Sequence, residues 1–309
     1  MPAPLYSDVA DGPQGGIGYW LRATDGVRIR AAIWPGGANG TVFLLPGRTE
    51  YIEKYGRAAG DLAARGYTTL SLDWRGQGLA DRALSDKMSG HVGHFAEYQL
   101  DLDAVLKLAH DQNLPRPYFM LAHSMGGCIA LRALMRDLPF QAVGFTAPMW
   151  GISMAAWMRP MATAIAATAS MLGQKHRYAP GTTAKTYVLD APFAGNVLTT
   201  DAGMYGYMRE QAAQHPDLTL GGPSMGWLHA ALVECHALSL LPSPTTPAIC
   251  ALGTSEKVVD TTPIHVRMRQ WRMGRTDLYP NAEHEIMMET AKMRTRLFDS
   301  LADHFRNHS

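Results

Sequence analysis

The sequence predicts an α/β protein with a mostly parallel, doubly wound sheet and an inserted helical cap. Short apolar runs alternate with helix-like segments from residue 41 to 148, and the alternation resumes at 247. Strands separated by helices pair in parallel through right-handed crossovers. Between the two stretches the alternation stops, and the chain is rich in Met, Ala and Trp. We therefore expect a core of residues 1–149 and 243–309 and a helical cap, or lid, of residues 150–242.

The individual elements follow from apolar periodicity and turn signals. Asp25-Gly26 separates two strand-like runs, 18–24 and 27–34, and predicts a hairpin. Six later strands are expected at 41–47, 67–74, 116–122, 141–148, 247–253 and 276–280. Five helices are expected at 51–66, 94–111, 125–137, 263–271 and 285–307.

Composition and charge indicate a globular protein with a sizeable core. Of the 309 residues, 47% are hydrophobic and 18% are charged, which argues against a disordered or fibrous chain. The formal net charge is +1, so no strong electrostatic field favours nucleic acid or an acidic membrane surface. We therefore expect no nucleic-acid partner.

Cysteine usage and the first residues predict a cytoplasmic protein. Cys128, Cys235 and Cys250 are an odd number without paired spacing, which argues against a disulfide framework or a zinc site. No basic start is followed by an apolar run, so a signal peptide is not expected. The most apolar stretch, 151–172, is interrupted by a charged residue and a proline, whereas a bilayer needs ~20 apolar residues. We expect no transmembrane segment, and loose contact with a membrane surface stays open.

The stretch LAHSMGG, residues 121–127, contains the candidate nucleophile. It follows an apolar run and precedes a helix-like run, which is the context of a strained nucleophile turn. The usual motif is G-x-S-x-G, and Ala122 stands in place of its first glycine. The turn brings the residues on either side of the serine close together, and Ala122 and Gly126 are both small. Ser124 is therefore the candidate nucleophile, and the alternative is a serine that only caps the helix.

A serine hydroxyl needs a base, and the base needs an acid that fixes its orientation. On a sheet with this turn, the chain order is serine, acid, histidine. Of the twelve histidines, only His284 lies between the last predicted strand and the final helix. Glu256 comes three residues after Gly253, which ends a predicted strand, and it is the preferred acid. Asp260, further along the same loop, stays the alternative.

Two backbone amides are expected to form the oxyanion hole, which stabilises the tetrahedral intermediate. One belongs to Met125, directly after the serine. The other belongs to the loop after the strand at 41–47, with Arg48 as the candidate. Amides already aimed at the developing charge contribute ~3 kcal/mol each.

Other polar residues near these segments have structural interpretations. His123 is expected to point away from the nucleophile, under the cap. Asp73, together with RGQG at 75–78, is expected to shape a loop beside the site. Asp101 and Asp103 are interpreted as a solvated helix face rather than a metal pair, and no metal site is expected.

Five segments resemble the α/β-hydrolase superfamily, and within it the serine hydrolases related to lysophospholipases and monoacylglycerol lipases. They are LLPGRTEYIEKY at 44–55, DWRGQG at 73–78, AHSMGG at 122–127, LGTSEKVVD at 252–260 and NAEHE at 281–285. GGPSMGWL, at 221–228 in the predicted cap, resembles the bacterial lysophospholipase branch. The resemblance implies the α/β-hydrolase fold with a triad of Ser124, Glu256 and His284. The chain departs from the family pattern at Pro46-Gly47, where lipases often have His-Gly, and at Glu256, where aspartate is usual.

The resemblance implies a carboxylic ester hydrolase that works through an acyl-enzyme without a metal or organic cofactor. The expected substrate is a small-molecule ester with an apolar acyl chain, such as a lysophospholipid or a monoacylglycerol. Methionine-rich segments at 154–172 and 204–208 suit flexible apolar ligands, although they serve equally to pack the cap onto the core. No substrate-binding residue is singled out.

Other functions of the same fold stay open. A general carboxylesterase or an acyltransferase would use the same triad. A non-catalytic ligand-binding protein can keep the fold and the triad together. An epoxide hydrolase or dehalogenase would need a carboxylate nucleophile, and Ser124 argues against that class.

Overall fold

The sheet has nine strands within the residues that the computed structural model describes, which are 1–153 and 173–309. The strands are β1 (Pro2–Ala3), β2 (Ile17–Arg22), β3 (Arg28–Trp34), β4 (Thr41–Leu45), β5 (Thr68–Asp73), β6 (Tyr118–His123), β7 (Phe140–Thr146), β8 (Ala248–Gly253) and β9 (Gly274–Tyr279). Their order across the sheet is β1-β2-β3-β5-β4-β6-β7-β8-β9. Pairing is antiparallel from β1 to β5 and parallel from β5 through β4 to β9. The predicted mostly parallel, doubly wound sheet is confirmed.

Helices flank this sheet in the described ranges. The α-helices are α1 (Ser7–Ala10), α2 (Gly56–Ala63), α3 (Glu97–Asp111), α4 (Met125–Ala133), α5 (Tyr187–Asp190), α6 (Ala202–Gln214), α7 (Met225–Ser239), α8 (Thr261–Gln270) and α9 (Ala291–Arg306). Three short 3₁₀ helices lie at Ile52–Tyr55, Pro216–Leu218 and Ile286–Met288. The elements β1 and α1 are absent from the prediction, because elements of two and four residues show no apolar period.

Two predicted helices are shorter than expected because tertiary contacts take over their ends. The predicted helix 51–66 divides into a 3₁₀ turn and α2, and the Ile52 amide donates to the Asp73 carboxylate of β5 instead (2.9 Å). The predicted helix 285–307 begins only at Ala291 as an α-helix. Before it, the Glu285 amide donates to the carbonyl of Leu198 in the insertion (2.7 Å).

The central strands are apolar throughout because helices cover both faces of the sheet. All five residues of β4 and all six of β6 are buried, as expected for parallel strands between two helical layers. On one face α3, α4, α7 and α8 contribute to a large apolar cluster. On the other face α2 and α9 pack with Met204 and Tyr207 of α6. The sheet therefore holds the carboxyl ends of its strands rigidly.

After residue 172, the insertion between β7 and β8 consists of the helices α5, α6 and α7 and a 3₁₀ turn, joined by turns and irregular segments. Its helix α6 is bound to the N-terminal region, because Tyr207 Oη donates to the carbonyl of Ala10 (2.6 Å) and Gln211 Nε2 donates to that of Glu53 (3.0 Å). Segment 154–172 lies outside the described residues. The division into a core and a cap of residues 150–242 stays a prediction.

The interpretation of Asp101 as a solvated residue is wrong, whereas Asp103 is partly exposed, in keeping with a helix face that meets solvent. Asp101 of α3 is fully buried, and its carboxylate accepts hydrogen bonds from Nη2 (2.8 Å) and the backbone amide (3.1 Å) of Arg75. Asp103 lies on the outer side and pairs with Arg136 at the surface. The apolar period of α3 does not reveal Asp101, because its partner lies 26 residues earlier in a loop.

Replacing Asp101 with Asn tests this buried ion pair. Breaking one partner of a buried pair leaves an uncompensated charge, which usually costs 3–5 kcal/mol. Asp25 and Glu97 still pair with Arg75, so we expect the free energy of unfolding to fall by about 3 kcal/mol, the lower end of that range. Urea unfolding of both proteins measures the change. A loss below about 0.5 kcal/mol, as at an ordinary surface position, would contradict the pairing.

Candidate active site

Ser124 lies at the sharp turn between β6 and α4, in a conformation that L-residues rarely adopt. Its backbone has φ 48° and ψ −116°, which is typical of strain held at a functional site. The turn presses against the end of β4: a Cβ atom at Gly126 would lie 2.2 Å from the carbonyl oxygen of Leu45 and 2.6 Å from that of Pro46. Position 126 therefore has to be glycine, while Ala122 is accommodated inside the core.

The side chain of Ser124 does not act as a helix cap. It occupies the N-cap position of α4, but its hydroxyl makes no capping hydrogen bond. Instead, Ser124 Oγ lies 3.0 Å from His284 Nε2. The hydroxyl therefore faces the histidine that the sequence predicts as its base.

His284 connects the serine to Glu256. His284 Nδ1 lies 2.7 Å from Glu256 Oε2, and both side chains are almost fully buried. Because a carboxylate only accepts hydrogen bonds, Nδ1 carries the proton and Nε2 of the neutral ring is free to accept one. The histidine loop is also fixed to the insertion, since the amides of His284 and Glu285 donate to the carbonyls of Val197 and Leu198.

Glu256 is held in its ionised form by its own loop. Its Oε1 accepts hydrogen bonds from the amides of Val258 (2.6 Å) and Val259 (3.0 Å). Burial opposes ionisation, but the hydrogen bond and charge of His284, with the two amides, outweigh it and hold the pKa of Glu256 below its ordinary value. One carboxylate oxygen of Glu256 thus binds the amides of residues 258 and 259, while the other reaches the histidine.

Asp260, the alternative acid, has a structural task in this arrangement. It is the N-cap residue of α8, where its carboxylate accepts a hydrogen bond from the Thr262 amide (2.9 Å). N-capping satisfies an amide that the first turn of a helix leaves without a partner. The geometry thus favours Glu256 over Asp260 as the partner of His284.

The two candidate oxyanion donors lie on segments that touch each other. Met125 is the first residue of α4, so its amide has no acceptor within the helix. Arg48 lies in the loop after β4, and the close contact of Gly126 with Leu45 and Pro46 brings that loop against the serine turn. The arrangement resembles an oxyanion hole formed by two backbone amides.

Residues of the DWRGQG segment form hydrogen bonds to the loop that carries Arg48. The sequence predicted only that this segment shapes a loop beside the site. Trp74 Nε1 donates to the carbonyl of Pro46 (2.9 Å), and Gln77 Nε2 donates to that of Gly47 (2.9 Å). Gln77 Oε1 accepts from the Thr49 amide (3.1 Å). The sequence did not predict this role of Gln77. The only indication of it is that Gln77 lies between two glycines in RGQG.

A group of buried charged residues lies directly beneath the serine and the histidine. The ligand atoms of Glu50, His123 and Glu285 lie within 4.8 Å of one another, a spacing that could hold a metal ion. The ammonium of Lys54, however, is hydrogen bonded to both carboxylates. His123 turns its Nε2 towards these acids, its Nδ1 lies 2.9 Å from Thr146 Oγ1, and its ring packs against that of His284 with 4.8 Å between centroids.

An apolar pocket of about 280 Å³ opens onto Ser124 and His284. Its walls combine the Arg48 loop with residues of the insertion, among them Tyr187, Leu198 and Met208. Most pockets that bind small molecules are apolar and hold a few polar groups at one point. The relay from Ser124 to Glu256 supplies those groups here.

Comparisons with known proteins place the chain in a family. The family model described as serine aminopeptidase, S33, matches residues 36–291. The chain belongs to this family. It is 32% identical over 280 residues to lysophospholipase L2 of Escherichia coli (strain K12), which covers 87% of this chain and 81% of that one.

Solved structures share the fold at low sequence identity. A soluble variant of monoglyceride lipase from Saccharomyces cerevisiae, solved with a substrate analog, superimposes with a TM-score of 0.72 at 19% identity, covering 96% of this chain and 98% of that one. A thermostable carboxyl esterase from Bacillus coagulans gives a TM-score of 0.75 at 15% identity, covering 95% and 98%. These structures confirm the α/β-hydrolase fold. The class of carboxylic ester hydrolase is confirmed by the family and by the relative at 32% identity. No helix within the described ranges is long and apolar enough to cross a membrane.

Two matched variants separate the candidate acids. Glu256→Gln removes the charge that orients His284 and stabilises its protonated form, so we expect kcat to fall by about 10²- to 10⁴-fold. Asp260→Asn keeps an equally good N-cap, and we expect kcat to change by less than about tenfold. Steady-state hydrolysis of a p-nitrophenyl ester measures both values. A larger loss in Asp260→Asn than in Glu256→Gln would reverse the assignment.

Proposed function

We propose that this protein hydrolyses the acyl ester bond of lysophospholipids, with Ser124 as nucleophile, His284 as base and Glu256 as the acid. One observation carries the proposal: an unbroken contact from Ser124 through His284 to Glu256 at the wall of an apolar pocket. The name of the relative from Escherichia coli supports the substrate class.

In the first half of the reaction, Ser124 Oγ attacks the ester carbonyl carbon while its proton passes to His284 Nε2 across 3.0 Å. Glu256 stabilises the imidazolium that forms. When the tetrahedral intermediate collapses, the bond to the leaving alcohol breaks and Nε2 gives that alcohol its proton. The acyl group then stays on Ser124 as an ester.

In the second half, a water molecule attacks the acyl-enzyme and gives its proton to His284. Collapse of the second intermediate releases the fatty acid and returns the proton to Ser124 Oγ. In both halves the amides of Arg48 and Met125 stabilise the oxyanion. Every step uses residues of this chain and water, so the proposed reaction requires no cofactor.

The pocket suits an acyl chain, and we propose that residues 150–242 act as the cap that closes it. Val188, Leu198 and Met208 supply apolar surface on the side of the insertion. The methionine-rich segment 204–208 was expected either to bind flexible apolar ligands or to pack the cap onto the core, and its two ends differ in this respect. Met204 is buried in the core, whereas Met208 also reaches the pocket. Methionine adapts to chains of varying shape.

The side chain of Arg48 favours a phosphate-bearing substrate over a monoacylglycerol. Arg48 lines the pocket, and its Nη1 donates to the carbonyl of Gly221 (2.9 Å). Its guanidinium also lies 5.6 Å from the ring of Trp227, and it forms no ion pair within the described ranges. Burial lowers the pKa of Arg48 to about 10, so the group stays cationic at neutral pH. A half-buried cation without a counter-charge is suited to the phosphate of a head group.

The proposed surroundings of the enzyme are the cytoplasm and the surface of lipid aggregates. Three free, buried cysteines are compatible with a reducing compartment. Three partly exposed apolar side chains, Tyr187, Leu189 and Phe193, lie on the segment beside the pocket. Contact of this segment with a micelle or membrane would let the acyl chain enter without crossing water.

An acyl series tests the proposed activity. We expect kcat/KM for lysophosphatidylcholine to rise by up to about fourfold per added methylene until the pocket is full, since each buried methylene contributes about 0.8 kcal/mol. Ser124→Ala should abolish both turnover and labelling by a fluorophosphonate probe.

An aminoacyl p-nitroanilide belongs in the same series, because the family description names an aminopeptidase. Faster cleavage of this amide than of any ester would overturn the proposal in favour of a peptidase. Labelling of the Ser124→Ala variant would exclude Ser124 as the nucleophile.

The role of Arg48 is tested by Arg48→Gln, which keeps the backbone amide but removes the charge and the guanidinium contact with the Gly221 carbonyl. Hydrogen bonds to charged groups contribute about 1.5–3 kcal/mol, so we expect kcat/KM for a lysophospholipid to fall by about 10- to 100-fold. For a monoacylglycerol with the same acyl chain, the change should stay below about threefold, because it has no phosphate. Equal losses on both substrates would show that Arg48 has only a structural role.

A further inference from the structure

Each of the three loops of the proposed active site supplies a buried charged residue directly beneath it. Glu50 lies on the oxyanion loop, two residues after Arg48. His123 directly precedes the nucleophile, and Glu285 directly follows His284. Their side chains are at most 7% exposed. The proposed mechanism uses none of them.

Lys54 joins two of these loops. Its Nζ donates to Glu50 Oε1 (2.8 Å) and to Glu285 Oε1 (2.6 Å). Glu50 lies four residues before it on the chain, whereas Glu285 lies 231 residues after it. A single ammonium thereby connects the oxyanion loop to the histidine loop.

His123 connects the third loop to the same two acids. Its Nε2 lies 3.4 Å from Glu50 Oε1 and 3.3 Å from Glu285 Oε2, contacts that are mainly electrostatic because their geometry is not that of good hydrogen bonds. Its Nδ1 lies 3.1 Å from the Thr146 carbonyl oxygen. Burial opposes the charged ring, but Glu285 and Glu50 outweigh it and raise the pKa of His123. The two carboxylates thus face the Lys54 ammonium and an imidazole whose protonated form they favour.

Glu50 extends the network to the backbone of the oxyanion loop itself. Its Oε2 accepts hydrogen bonds from the Gly47 amide and from the Tyr55 hydroxyl. Gly47 directly precedes Arg48, whose amide is a proposed oxyanion donor. A shift of Glu50 would therefore move the peptide that carries this donor.

We propose that Glu50, Lys54, His123 and Glu285 form a positioning cluster that fixes the oxyanion loop, the nucleophile turn and the histidine loop relative to one another. This inference rests on the proposed function, because it assigns a purpose to the contacts between its three loops. The ring of His123 packs against that of His284, with 4.8 Å between centroids, and the other three members line the pocket. Within the described residues no hydrogen bond joins the cluster to the Ser124 hydroxyl or the His284 ring, so its members are positioning residues.

Charge balance explains why the cluster needs no metal ion. Three of its members offer ligand atoms within 4.8 Å of one another. The Lys54 ammonium is bonded to both carboxylates and supplies the positive charge that a metal ion would otherwise provide. A lysine attached to the chain, unlike a diffusible ion, also ties the cluster to the segment that follows the oxyanion loop.

The decisive experiment separates positioning from stability with the double variant Lys54→Met/Glu50→Gln. It removes one positive and one negative charge together, so the net charge of the cluster does not change and Glu285 keeps its electrostatic contact with His123. We therefore expect Tm within about 3 °C of the wild type. The glutamine oxygen can still accept from the Gly47 amide, but the link from this loop to Glu285 is lost. Because misplacement by about 1 Å costs about 10²-fold, we expect kcat to fall about 10²-fold with KM within about threefold.

A second readout reports on the oxyanion hole directly. An alkyl trifluoromethyl ketone binds serine hydrolases as a hemiketal oxyanion, so its affinity should weaken by a factor similar to the loss in kcat/KM. Wild-type kcat and inhibitor affinity in a folded double variant would overturn the proposal and leave the cluster as a stabilising device. If the double variant does not fold, the isosteric Glu50→Gln variant decides by the same two measurements.

Asp61→Asn is the control, because it disturbs a partly buried ion pair with Arg294 that joins α2 to α9, away from the three loops. Assayed well below its Tm, it should keep wild-type kcat and inhibitor affinity. A loss equal to that of the double variant would attribute both effects to general loosening and overturn the proposal. A wild-type protein that cleaves no ester would instead contradict the proposed function, so the two failures are distinguishable.

Discussion

The active site depends on the close contact between the nucleophile turn and the end of β4. No side chain fits between Gly126 and the carbonyls of Leu45 and Pro46, so the turn can approach the strand closely enough for two amides to face one point. The same contact forces Ser124 to a positive φ. This strain is sustained because β4 and β6 are buried on both faces and cannot move apart.

A strained serine can act as a nucleophile only if a base and an acid from other loops are held at fixed distances from it. Glu256 reaches His284 from the loop after β8, and His284 lies after β9, 160 residues from Ser124 in sequence. Parallel strands end at the same edge of the sheet, which brings these loops together. The insertion contributes as well, because the carbonyls of Val197 and Leu198 bond to the amides of the histidine loop. Backbone hydrogen bonds therefore join the insertion to the loop that carries His284.

The sequence was sufficient for the residues whose role follows from local context. The apolar runs gave the parallel strands, and the order serine, acid, histidine predicted three side chains that the structure brings into contact. Glu256 was preferred to Asp260 because it lies closer to the end of a predicted strand. The way its loop folds back so that two of its amides bind the carboxylate follows from no period in the sequence. Asp101 was misjudged for a related reason, since a charge on a helix is interpreted as solvated unless its partner, Arg75, is known.

Buried charges beneath an apolar pocket are costly to desolvate, and apolar side chains of the same volume often stabilise a fold equally well. The hydrophobic effect is non-directional, so an apolar layer would tolerate small slips between loops. Lys54, by contrast, has to lie within hydrogen-bonding distance of Glu50 and Glu285 at once, and a slip of either loop breaks one of these bonds. Burying these side chains therefore costs free energy but fixes the register of the loops, and a reaction between atoms on three separate loops requires that register.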